Sequence, residues 1–191
     1  MRRRTFDILA SSAGLLLAVV LAVAGALLIW AYSFVNSQVS SELAAQKIVF
    51  PAAGSAAIKE LPPADAAAMS QYAGQLMTTG AQAQTYADHF IAVHLSKIGG
   101  GKTYAQLSAE SLANPSDAAL KAQVDTVFKG ETLRGLLLNA YAFWQMGQIA
   151  LIAGIVSLVA AAIMLVLSAL GFWHLRRTPA EAELLAAKQP A

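Results

Sequence analysis

The chain contains no cysteine, so disulfide frameworks, thiolate zinc sites, iron–sulfur clusters and cysteine nucleophiles are excluded. Charge is scarce. Only 13% of residues are Asp, Glu, Lys or Arg, about half the share in a soluble domain. The net charge of +2 is too small to suggest a nucleic-acid partner, and none is expected. In place of charge the chain is 57% hydrophobic and alanine-rich, with a mean hydropathy of +0.55. That composition rules out a disordered, collagenous or ordinary cytosolic protein.

The apolar residues are concentrated in two runs. No charged residue lies between Asp7 and Glu42, and residues 8–30 are an almost unbroken series of Leu, Val, Ile, Ala and Gly. As a helix this covers roughly 35 Å, enough for a hydrocarbon core of about 30 Å. The second charge-free run covers residues 135–173, with its most apolar part at 149–173. Two transmembrane helices are expected, dividing the chain into an N-terminus (1–7), a first span (8–30), a middle domain (31–148), a second span (149–173) and a tail (174–191). The competing reading of the first run is a cleaved signal peptide, with Arg2, Arg3 and Arg4 as n-region and Ala22-Val23-Ala24 as cleavage spacing. The run continues through Trp30, longer than an h-region requires, which favours a retained span.

Arg2, Arg3 and Arg4 precede the first span and His174, Arg176 and Arg177 follow the second, so the positive-inside rule places both termini in the cytoplasm. The middle domain balances its acidic and basic residues and is expected outside. Trp30, Tyr141, Trp144 and Trp173 fit interfacial aromatic belts, with the terminal arginines as further anchors at the bilayer surface.

The middle domain reads as helical. Pro63 opens a helix with Met69, Tyr72, Ala73 and Leu76 at helical spacing, closed by Gly80. A second helix is expected over 81–98, ending at Gly99-Gly100-Gly101. Thr103 and Gln106 form a capping box for a short helix through Leu112. Asn114, Pro115 and Asp117 read as N-cap, N1 and an acidic first turn of a helix ending at Gly130. A further helix from near Glu131 runs into the second span, and Val35, Val39 and Leu43 extend the first span outward until Pro51. Residues 51–61 take no assignment, and no sheet of consequence is expected. The fold class is therefore all-α, two transmembrane helices framing an extracytoplasmic helical bundle.

Candidate sites are few. The stretch from Ser96 to Thr103 ends in Gly-Gly-Gly-Lys-Thr, but a phosphate loop needs glycine where Ser96 stands, after a strand. A helix-ending turn is the expected structure. His89 and His94, five apart, lie about 140° apart around a helix and do not converge on a metal with Asp88. The spans hold no Asp, Glu, Lys, Arg or His, which disfavours a transporter acting alone. They do hold small residues in register. Ala10, Gly14, Ala18, Ala22 and Ala26 repeat every four residues in the first span, and Gly147, Gly154, Ala161 and Ser168 every seven along the second run. Small residues let helix backbones approach closely in lipid, so these are the expected packing faces.

Four stretches, Arg4-Thr5-Phe6-Asp7-Ile8-Leu9-Ala10, Gln46-Lys47-Ile48-Val49-Phe50-Pro51, Tyr86-Ala87-Asp88-His89-Phe90-Ile91 and Gly101-Lys102-Thr103-Tyr104-Ala105, resemble a family of small actinobacterial two-span membrane proteins, across nearly the whole chain. Members often carry a label of aromatic ring-opening dioxygenase. Extradiol cleavage needs iron held by two histidines and a carboxylate, which the divergent His89 and His94 do not supply. The resemblance implies an envelope protein.

The expected function is a non-enzymatic membrane subunit or scaffold of the cell envelope. It binds other membrane or envelope proteins, or a second copy of itself, through its spans and outer helices. No catalytic, cofactor or metal site is expected. The alternative is an extracytoplasmic sensor or small-ligand-binding module, for which the tail from Thr178 is too short to signal without a partner.

Overall fold

The computed structural model describes residues 3–177 and Pro179. Arg2, Thr178 and residues 180–191 of the expected tail lie outside the described residues. Regular structure among the described residues is helical, apart from one isolated antiparallel bridge between Val49 and Leu76. In chain order the helices are α1 (Arg3–Ala45), α2 (Ala56–Lys59), α3 (Pro63–Ser70), α4 (Gly80–Tyr86), a π-turn (Ala87–Ile91), α5 (Ala92–Ile98), α6 (Tyr104–Ala113) and α7 (Ala118–Arg177). Both α1 and α7 are long and apolar enough to cross a membrane. The chain divides into two compact units, Met1–Tyr32 with Gln148–Ala191, and Ser33–Gly147.

In the first unit the apolar parts of α1 and α7 expose most of their large side chains, Leu16, Leu27, Val156 and Ile163 among them. What is buried is small. Ser11, Ala18, Ala161 and Ser168 are the most enclosed side chains, an arrangement that would be inside out in water but fits a hydrocarbon solvent.

The second unit is built the opposite way, around a core of Leu43, Phe50, Met69, Met77, Ala83, Ala87 and Leu137. Lys47, at φ 55°, takes the left-handed conformation just past the end of α1, and the chain then runs extended. Met77 N–H donates to Ile48 O at 2.8 Å and Phe50 N–H to Gln75 O at 2.9 Å, which carries Phe50 into the core. There its ring lies 5.3 Å from both Tyr72 and Tyr86.

Several element boundaries differ from the sequence reading. The helix opened by Pro63 stops at Ser70 rather than Gly80, because Gly74 adopts φ 71° and Leu76 joins the bridge to Val49. Gly80 instead begins α4, behind a capping box of Thr79 and Gln82 with the same spacing as the one read at Thr103 and Gln106. Buried Gln82 also accepts from Thr78 N–H at 2.7 Å and donates to Gln75 Oε1 at 3.1 Å, so every polar group of its amide is used. The segment 51–61 contains α2, pinned by buried Ile58 and Leu61. Asn114 closes α6 by donating to Glu110 O at 3.0 Å. The cap of α7 is Asp117, which accepts from Leu120 N–H at 2.9 Å.

Gly130 does not end a helix, since α7 runs through it. A glycine in a helix interior costs about 1 kcal/mol relative to alanine, but a Cβ at Gly130 would overlap the Leu95 side chain. Packing against α5 outweighs the local preference.

Candidate functional site

Two sets of residues merit attention as sites, the small-residue faces of the first unit and the polar and aromatic surface of the second. In the first unit the two backbones come close at Gly25 and Gly154. A Cβ on Gly25 would stand 3.0 Å from Gly154 O, and a Cβ on Gly154 would stand 3.1 Å from Gly25 O. Two backbones so close exchange dispersion contacts and weak Cα–H···O bonds that lipid cannot supply. Further along the face, a Cβ on Gly14 would lie 2.6 Å from Ser168 Oγ. Ser11 fills the corresponding notch at Gly171, where a Cβ would collide with its hydroxyl. Ser157 Oγ donates to Leu21 O at 2.8 Å, one true hydrogen bond between the two helices.

The structure therefore places Gly14, Ala18, Gly154, Ala161 and Ser168 on the apposed faces, with Ala22 only half-buried and Ala10 and Ala26 exposed. The four-residue row drifts because each step of four turns 400°, moving the stripe 40° around α1. A seven-residue step drifts only about 20°. The residue that reasoning from a four-residue row misses is Gly25, and a heptad alternation from Ser11 through Gly14, Ala18 and Leu21 reaches it. Gly147 is buried in the second unit.

Of the expected interfacial anchors, Trp30 and Trp173 are exposed, and the Arg177 guanidinium lies 4.0 Å over the Trp173 ring. Arg4 and Arg176 are exposed as well. Tyr141 stacks on Trp144 at 6.3 Å. Trp144 is half-buried against the core of the second unit, over Gly80, where a Cβ would overlap it.

In the second unit the π-turn brings Asp88 and His89 to two different partners. His89 Nδ1 lies 2.7 Å from Asp65 Oδ1 on α3, and Asp88 Oδ1 accepts from Arg134 on α7 at 3.1 Å. The turn is thus tied from both sides by neighbouring residues, which the extra residue of a π-turn permits. His94 Nδ1 meets Phe90 O at 2.7 Å. The two imidazoles have separate partners, and among the described residues no group of three or more His, Asp or Glu could hold a metal ion. Burial pushes the Tyr86 phenol up from its ordinary value. The glycine turn after α5 keeps its amides for itself. Gly99, Gly100, Gly101 and Lys102 N–H donate to Leu95, Lys97, Ser96 and Gly99 carbonyls, which leaves no cradle for a phosphate.

No family model, curated protein or solved structure matches the chain.

One part of the second unit's surface pairs two exposed aromatic rings. Tyr104 of α6 and Phe128 of α7 pair their rings at 5.4 Å yet remain 38% and 51% exposed. Lys121 and Asp125 line the shallow recess beside them. An aromatic pair rimmed by polar groups is the composition of a protein-binding hot spot.

Proposed function

We propose that the chain is a non-enzymatic subunit or scaffold of a cell membrane, a hairpin of two spans that holds a helical unit outside the bilayer for binding other membrane or envelope proteins. The two apolar helices with glycine faces support the hairpin, and the arginine flanks support cytoplasmic termini. The observation that carries partner binding is the exposed Tyr104 and Phe128 pair. The envelope location implied by the family resemblance agrees with this reading.

The test is recovery of cross-linked partners from native membranes with the whole chain as bait. Phe128→Ser should reduce partner recovery at least tenfold, in keeping with the ~2 kcal/mol or more of a hot-spot residue, while expression and membrane extraction stay unchanged. Undiminished recovery would remove the pair from the interface. The second reading, an extracytoplasmic ligand-binding module acting with a partner, is favoured by an open apolar cavity lined by α1 and α7 in the Ser33–Gly147 unit.

A further inference from the structure

The two charge-free runs are longer than a membrane requires. Residues 8–41 and 135–173 would extend roughly 50 and 58 Å as helices, against a hydrocarbon core of about 30 Å. The surplus carries no charge, and in it Phe34, Val35, Val39, Leu136, Ala140 and Phe143 are apolar among serines, Asn36 and Gln38. Within the Ser33–Gly147 unit that surplus lines an open groove of about 540 Å³ between α1 and α7, a size typical of small-molecule sites. Phe34, Leu136 and Phe143 line it while remaining 56%, 60% and 57% exposed. One side carries Gln38 and Glu42 of α1, with Gln46 just past its end, so a polar edge runs along an apolar trough on the order of 15 Å long. Glu42 is the single charged side chain in the lining.

We propose that this groove holds the acyl chain of a single-chain amphiphile with a zwitterionic head, the cationic group of the head against Glu42 and its polar groups against Gln38 and Gln46. The inference rests on the membrane location in the reading above. Apolar surface left open to water is costly at about 25 cal/mol per Å², and an extended alkyl chain covers it along its length. The lone carboxylate selects against an anionic head.

The purified whole chain in phosphatidylcholine nanodiscs is photolabelled with lysophosphatidylcholine bearing a mid-chain diazirine, and in parallel with lysophosphatidylglycerol bearing the same chain. Labelled peptides from 34–46 and 136–143 should exceed labelling at the exposed span residues Leu16 and Val156 at least fivefold, and the choline probe should exceed the glycerol probe by a similar factor. Leu136→Gln and Phe143→Gln, both at exposed positions, should lower groove labelling at least fivefold. Glu42→Gln should bring the two probes to near equality.

Even labelling of groove and spans would mean boundary lipid only and would overturn the proposal, as would indifference to the head group. Efficient disulfide dimerisation of Phe143→Cys in unlabelled nanodiscs would assign the groove to a second copy and overturn it equally. Release of the chain from native membranes by alkaline carbonate sinks the membrane reading and this inference with it. Retention in the membrane with an unlabelled groove sinks the inference alone.

Discussion

At the scale of single residues, glycines five positions apart on α7 should respond in opposite directions to the same change. A Cβ at Gly130 overlaps Leu95, whereas at Gly135 it meets nothing within 4 Å. Gly135→Ala gains the helix propensity that glycine lacks and should stabilise the chain by up to ~1 kcal/mol. Gly130→Ala gains the same propensity but overpacks, and should destabilise by ~1–3 kcal/mol. Thermal unfolding of the two variants in one detergent checks the sign of each. Tyr86 offers a pH test. Its folded-state pKa is raised by burial, so its contribution is complete below the unfolded value near 10 and is lost as pH rises through the folded value. Tyr86→Phe should therefore lose less stability than the natural chain above pH 10. Equal alkaline losses would show that this phenol does not govern that limb.

At the scale of elements, the helix pair of the first unit depends on backbone contact rather than on burial of large side chains. Replacing Gly25 or Gly154 with Leu keeps each helix apolar, so membrane insertion should persist. The close approach of each glycine to the other's carbonyl should not. Apparent melting temperature in detergent should fall by several degrees, and cross-linking between single cysteines on the two helices should drop. Leu17→Ala and Val156→Leu, at exposed positions, should leave both measurements nearly unchanged. If the glycine variants match these controls, the register is an accident of an alanine-rich composition.

At the scale of the whole molecule, the expected arrangement has both termini in the cytoplasm and the middle region outside. The chain has no cysteine, so introduced thiols report without background. Ala53→Cys and Ser116→Cys, both exposed, should react with a membrane-impermeant maleimide in intact cells. Thr5→Cys should react only after permeabilisation. The reverse pattern would overturn the orientation, and uniform labelling would argue against two retained spans.

Two helices of membrane length, the helix start at Thr103 and the turn at Gly99 were legible in the sequence, because each depends on transfer energies or hydrogen bonds within a few residues. The capping box at Thr79 was equally local, but Gly80 beside it invites a helix stop, and the two signals conflict until Trp144 is seen to require a residue without Cβ there. Continuity of α7 through Gly130, the pairing of Gly25 with Gly154, the division of Asp88 and His89 between Arg134 and Asp65, and the groove between α1 and α7 belong to the tertiary structure. Each is decided by a partner dozens of residues away, and no propensity at one position encodes which distant backbone or side chain will stand against it.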